Sequence, residues 1–170
     1  RGECTKEFLV VQRFRNFLSA MGLDRDAEGC NALHLHTLSQ CAFMLPYAEE
    51  VCHTLARSHK LYLVTNAVAS VQRGRLAKSP IVPDITAAFI SEEAGAAKPS
   101  AAYFDYVFAR IDGITRENCL IIGDSISSDI RGANNYGLPC CWYNPRHTPR
   151  PDGLRIDYEI DDLRALCDIV

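Results

Sequence analysis

From Phe43 onward, short apolar runs alternate with amphipathic stretches, and this alternation most strongly constrains the fold of the chain. Each apolar run has the length of a buried strand: KLYLV (60–64), AAFI (87–90), CLII (119–122), CCW (140–142) and a weaker DYEI (157–160). The intervening stretches have the 3.6-residue apolar period of helices. They include SAAYFDYVFARI (100–111), a stretch at about 127–136 that Gly137 would stop, and a closing helix, DDLRALCDIV (161–170). The first of these places on one face its apolar residues Tyr103, Phe104, Val107, Phe108 and Ile111. Strands that alternate with helices at this spacing predict an α/β fold with a doubly wound parallel sheet.

The first 43 residues predict helices instead of strands. Thr5 can cap a helix that Gly22 is placed to end, and a second helical stretch covers about 27–40. The sequence therefore predicts two units, a helical one at 1–43 and an α/β one at 44–170.

Composition and charge exclude several classes of partner. With 48% hydrophobic residues, 23% charged residues and a net charge of -3, the chain has no basic run to bind nucleic acid or a membrane surface. No stretch approaches the roughly 20 apolar residues of a membrane span. The eight cysteines are scattered without a C-x-x-C pair, which predicts reduced thiols in a cytoplasmic protein.

Polar residues follow the ends of neighbouring predicted strands. Thr65 and Asn66 follow KLYLV, Lys98 lies in a loop expected to be flexible after AAFI, and Asp124 follows CLII, with Asp129 in the next helix. Ligands of open parallel sheets bind beyond these carboxyl ends. Individually, each residue also fits a turn, a solvated lysine or a helix cap.

Together, these five residues fit a phosphate group and a divalent cation. Mg2+ is bound by one or two carboxylates with waters and substrate phosphate, so Asp124 could be a direct ligand and Asp129 could hold a bound water. Lys98 could neutralise charge on a phosphoryl group, and Thr65 could donate a hydrogen bond to it.

Three segments resemble motifs two, three and four of the haloacid dehalogenase-like (HAD) phosphohydrolases: LVTN (63–66), SEEAGAAKP (91–99) and GDSISSDI (123–130). Three further segments are similar to 5'-nucleotidases that act on pyrimidine and non-standard nucleoside monophosphates: VASVQRGRLAKSPI (68–81), YFDYVFARI (103–111) and GANNYGLPCCWYNP (132–145). The resemblance implies a Rossmann-like HAD core at 44–170 and part of a helical cap at 1–43.

The resemblance also implies a Mg2+-dependent phosphatase whose substrate is a small phosphorylated molecule of the nucleoside 5'-monophosphate class. It implies catalytic roles for Lys98 and Thr65, phosphate binding by Thr65, Asn66 and Lys98, and metal binding by Asp124 and Asp129. Two positions depart from the family pattern, because Tyr47 and Ala67 stand where glycine is usual.

The aspartate nucleophile of such enzymes lies in an Asp-x-Asp motif after the first, central strand. The one Asp-x-Asp here, Asp24 with Asp26, follows an amphipathic helix and a glycine, which predicts a solvated linker. We therefore expect no nucleophile in this chain, a missing N-terminal segment, a sheet without its first strand and no activity from these residues alone.

Several other functions fit the sequence less well or stay open. GDSIS does not match the G-x-S-x-G of serine hydrolases, and His34 and His36 would point to different sides of a helix rather than share a zinc ion. Cys140 and Cys141 fit buried strand positions better than a reactive pair. A sugar-phosphate or phosphoglycolate phosphatase, a haloacid dehalogenase that needs no Mg2+, and an inactive binding module remain open.

Overall fold

The structure, a computed structural model, describes residues 6–170. It begins with helices α1 (Lys6–Ala20) and α2 (Ala27–Ser39), which pack against each other around the buried Leu18 and Ala27. Gly22 follows α1 with a φ of +66°, as the helix-stop prediction requires. The predicted cap residue Thr5 lies outside the described residues.

The remaining chain alternates helices and strands, which confirms the α/β prediction. Two segments differ from it: the predicted helix at 127–136 begins as a π-helical turn, and the closing helix is a 3-10 helix, Leu163–Asp168. The helices are α3 (Ala48–Leu55), α4 (Ala69–Ala77), α5 (Ser91–Ala94), α6 (Ala101–Phe108) and α7 (Arg131–Tyr136). The strands are β1 (Leu61–Thr65), β2 (Ile85–Ile90), β3 (Ile121–Gly123), β4 (Cys140–Tyr143) and β5 (Tyr158–Ile160), and the π-helical turn covers Ile126–Ile130.

All pairings between the described strands are parallel, as predicted. β1 pairs with β2, and β3, β4 and β5 pair in that order, so the strands of residues 6–170 form two sheets rather than one. β1 and β3 thus each have a strand on one side within the described chain. All five residues of β1 are only half-buried, and Ile122 of β3 is 38% exposed, which is unusual for parallel strands.

The main core lies under α6, whose predicted apolar face is correct. Tyr103, Phe104 and Val107 recur at the helical period and are all buried. Phe104 also packs closely on α7, where a side chain on Gly132 would collide with its ring. The core includes buried residues from the π-helical turn, from α7, from the connection after α7 and from β4: Ile130, Ala133, Leu138, Cys140 and Trp142.

The helical pair α1–α2 contacts the α/β part through α4. Gly74 of α4 faces Ser39 so closely that a Cβ at this position would lie 2.8 Å from the Ser39 carbonyl oxygen. The boundary near residue 43 stays a prediction. The seven cysteines within residues 6–170 are free thiols, and no helix in that range is long and apolar enough to cross a membrane.

Candidate functional site

Lys98 is a buried cation that connects the two sheets. Its ammonium donates hydrogen bonds to the carbonyl oxygen of Val64 in β1 and to Oδ1 of Asp129 in the π-helical turn, both at 2.6 Å. The side chains of Lys98 and Asp129 are 7% and 10% exposed. The expectation of a flexible, solvated loop around Lys98 is therefore wrong, because burial and these contacts hold the residue in place.

Asn66 holds the backbone of Lys98 from the end of β1. Its amide nitrogen donates to the Lys98 carbonyl at 2.8 Å, and its Oδ1 accepts from the Lys98 N–H at 2.9 Å. Both ends of the side chain are thus engaged with Lys98. Asn66 therefore fixes the segment that carries the lysine.

Asp129 is held on both of its oxygens. Oδ1 accepts from Lys98, and Oδ2 accepts from the backbone N–H of Ser125 at 3.1 Å. The Ser125 hydroxyl in turn accepts from the Ser128 N–H, which closes the turn after β3. Gly123 makes this approach possible, since a Cβ at that position would overlap with the Asp129 carboxyl group.

Asp124 and Thr65 present polar groups that the described protein does not use. The Asp124 carbonyl accepts from the indole Nε1 of Trp142 at 3.1 Å, which fixes the backbone. Its exposed carboxylate and the Thr65 hydroxyl have no hydrogen bond within residues 6–170. Sequence reasoning placed Trp142 only in a buried strand, because nothing in CCW indicates its partner.

Tyr103 joins the ends of β1 and β2 below the site. Its hydroxyl donates to the Phe89 carbonyl at 2.6 Å and accepts from the Thr65 N–H at 3.0 Å. Burial raises the pKa of this phenol to about 12, and the nearby Asp129 charge adds to the effect. The helical period identifies Tyr103 as a core residue but gives no signal for these hydrogen bonds.

The described residues fit a Mg2+ ion in part. They contain no cluster of three or more His, Cys, Asp or Glu side chains able to enclose a metal. Mg2+ does not require such a cage, because it is commonly bound by one or two carboxylates with waters and substrate phosphate. Asp124 offers an uncommitted carboxylate, while both oxygens of Asp129 are already engaged.

The Asp-x-Asp pair and the two histidines of the N-terminal segment belong to different elements from those that carry Lys98 and Asp129. Asp24 and Asp26 are exposed in the connection between α1 and α2, as the linker prediction requires. His34 packs its ring edge-on against Phe14, with a centroid distance of 5.6 Å. These positions belong to the helical pair.

Comparison with known proteins identifies the family. Residues 95–166 match the HAD-hydrolase-like family profile. The chain is 34% identical over 165 residues to the pyrimidine 5'-nucleotidase PynA of Streptococcus pneumoniae, covering 96% of this chain and 70% of that protein. The chain belongs to the HAD-like hydrolases.

Other HAD-like relatives extend the match to structure. The crystal structure of the putative HAD-hydrolase YfnB from Bacillus subtilis, bound to magnesium, superposes with a TM-score of 0.94 at 34% identity, covering 99% of this chain and 74% of that chain. The pyrimidine 5'-nucleotidase YjjG of Escherichia coli is 29% identical over 165 residues, covering 97% of this chain and 72% of that protein. The HAD fold assigned from three short motifs is thus confirmed over nearly the whole chain.

Proposed function

We propose that this HAD-like hydrolase is a Mg2+-dependent phosphomonoesterase of the cytoplasm that acts on a nucleoside 5'-monophosphate. The observation that carries the proposal is the cluster of Lys98, Asp129 and Asn66 beside the uncommitted Asp124 carboxylate and Thr65 hydroxyl. The 34% identity to a pyrimidine 5'-nucleotidase supports the substrate class, and the magnesium in the related YfnB structure supports the metal.

Phosphate binding is assigned to the groups at the end of β1 and to the buried lysine. The Thr65 hydroxyl would donate to a phosphoryl oxygen, and the Lys98 ammonium would balance negative charge that develops there. Asn66 would contribute to the phosphate site chiefly by fixing the Lys98 backbone. Because Lys98 is buried, its charge would act in a surrounding of lower dielectric constant than water and would interact more strongly with a phosphate.

Metal binding is assigned to Asp124 and Asp129. Asp124 would be the direct ligand. Asp129 would contribute to the metal site by stabilising the turn after Asp124, through its hydrogen bond from the Ser125 N–H. When bound, Mg2+ would supply positive charge at the phosphoryl oxygens. In a longer, catalytically active form of the protein, replacing Asp124 with Asn should abolish Mg2+-dependent turnover, while Asp152→Asn, at an exposed site in the loop before β5, should leave it unchanged. Equal turnover by the Asp124→Asn variant would remove this assignment.

The attacking aspartate is proposed to come from a strand outside residues 1–170. Support comes from the exposed positions of Asp24 and Asp26 and from the unfilled flanks of β1 and β3 in the described chain. Such a strand would pair with both flanks and bring its carboxyl end to the site. Residues 1–170 alone are therefore proposed to be inactive.

The test compares residues 1–170 with an extended protein, defined as this chain together with the amino acids encoded upstream of Arg1. Hydrolysis of p-nitrophenyl phosphate, UMP and dUMP is measured with Mg2+ and with EDTA. We expect Mg2+-dependent release of phosphate by the extended protein only. Turnover by residues 1–170 would refute the external nucleophile, and inactivity of both on every phosphomonoester would refute the function. Halide release from a 2-haloacid in EDTA would instead identify a dehalogenase.

A further inference from the structure

The hydroxyl of Tyr103 occupies a structural position that no phosphate or metal assignment explains. It links the Thr65 N–H of β1 to the Phe89 carbonyl of β2 at the carboxyl ends of the two strands. Val64 pairs with Phe89 and Thr65 pairs with Ile90, and these are the last two residue pairs between β1 and β2. A side chain from α6 therefore contributes a link where the two strands end.

The Tyr103 hydrogen bond to Thr65 lies next to the candidate phosphate-binding residues. Thr65 carries the hydroxyl assigned to the phosphoryl group, and Asn66 after it holds the Lys98 backbone through two hydrogen bonds. A shift of the Thr65 peptide would therefore move both its own hydroxyl and the clamp on Lys98. Tyr103 is 0% exposed, and its phenol, which like any tyrosine is protonated at neutral pH, can donate and accept at once; burial raises its pKa further, to about 12.

We propose that Tyr103 is a positioning residue for the phosphate site, which it supports by fixing the Thr65 peptide and, through Asn66, the backbone of Lys98. The inference rests on the proposed function for its kinetic consequence. A purely structural role, in which the hydroxyl only satisfies two buried backbone groups, predicts reduced stability without a selective effect on Thr65. The two roles differ in measurable ways.

The kinetic test uses Tyr103→Phe in the extended protein, alone and combined with Thr65→Val. We expect kcat to fall about tenfold to a hundredfold with KM changed less than about twofold, since small misplacements of catalytic groups chiefly affect the transition state. The double variant should be no slower than Thr65→Val alone. Tyr136→Phe is the matched control, because it removes an exposed phenol hydroxyl that donates to Asp105 at 2.7 Å, and it should keep full activity.

Two kinetic results would overturn the inference. One is a loss of less than about twofold in kcat for Tyr103→Phe, since positioning then does not depend on the hydroxyl. The other is a loss that multiplies fully with that of Thr65→Val, since independent effects add as free energies. If Tyr103→Phe fails to fold, Asn66→Ala at an exposed position removes the next contact, its two hydrogen bonds to Lys98, and should reproduce the kcat loss. An unchanged kcat in that variant would also overturn the inference.

A second readout separates this inference from the proposed function. Amide hydrogen exchange at Thr65 and Lys98 is measured by NMR in the extended protein and its Tyr103→Phe variant. Exchange at both positions should accelerate at least about tenfold, because the Thr65 N–H loses its acceptor and the Asn66 clamp on Lys98 loosens. Unchanged exchange at Lys98 refutes the positioning link, whether or not any phosphomonoester is hydrolysed.

Discussion

Replacing Asp129 with Asn removes one charge of a buried ion pair while nearly preserving the side-chain shape. The Lys98 and Asp129 side chains are 7% and 10% exposed, and their polar atoms are 2.6 Å apart. Both Asp129 oxygens accept hydrogen bonds, one from the Lys98 ammonium and one from the Ser125 N–H. In the Asp129→Asn variant the NH2 group would replace one of these oxygens, so one of the two donors would face another donor. Removing one partner of such a pair typically costs about 3–5 kcal/mol, because the remaining charge stays buried.

The expected loss is large relative to the whole stability of a domain, about 5–15 kcal/mol. At roughly 2.1 cal/mol/K of unfolding entropy per residue, it lowers the Tm of this 170-residue chain by about 8–14 °C. Urea unfolding can be followed by the fluorescence of Trp142, the single tryptophan, which is 3% exposed in the core. The free energy of unfolding of Asp129→Asn is then compared with that of the unmodified chain.

Two companion variants make the measurement decisive. Glu93→Gln breaks the exposed pair with Arg73, whose shorter contact is 2.7 Å, and should cost less than about 1 kcal/mol. Lys98→Met combined with Asp129→Leu removes both buried charges and should recover most of the loss, since apolar replacements of such pairs are often close to neutral. A loss below about 1 kcal/mol for Asp129→Asn would show that the pair is not buried as described.

Three further outcomes follow from the same contacts. Gly123→Ala should destabilise the chain by about 1–3 kcal/mol in urea unfolding, because the added methyl group overlaps with Asp129. Iodoacetamide at pH 8 should alkylate the exposed Cys167 well before Cys141, which is fully buried and has a pKa raised to about 11. The order is measured by mass spectrometry of the native chain, and earlier alkylation of Cys141 would contradict its burial. The contribution of Cys141 and Tyr103 to the free energy of unfolding is fully present below about pH 9 and should be lost between about pH 9 and 12, because both groups then ionise more readily in the unfolded chain. A free energy of unfolding that rises over that range would contradict the raised pKa values.

Apolar patterning predicted the parallel strands and the buried face of α6, because both depend on periods that are visible in the chain. The same patterning failed at the C-terminal end. There the Asp162 carboxylate accepts from the Arg164 N–H, and a 3-10 helix, Leu163–Asp168, forms in place of the expected α-helix. Local side-chain bonds of this kind compete with regular helix and leave no periodic signature.

Sequence position suggested the candidate site residues but not the partners to which they hydrogen-bond. Position after a strand selected Thr65, Asn66 and Asp124, because carboxyl ends of parallel strands share one edge. That argument carries no information about burial, so it missed that Lys98 is enclosed. The Tyr103 hydroxyl likewise depends on how α6 packs over two strand ends, which only the tertiary structure specifies.

The burial of Lys98 means that its side chain loses its conformational freedom on folding and not on ligand binding. A lysine chain that becomes immobile gives up about 1.5–2 kcal/mol of conformational entropy. For Lys98 this loss accompanies folding, because the Val64 carbonyl and the Asp129 carboxylate already hold the ammonium. An anionic ligand arriving at the strand ends would therefore meet a cation that needs no further ordering, and that part of the cost of association is absent.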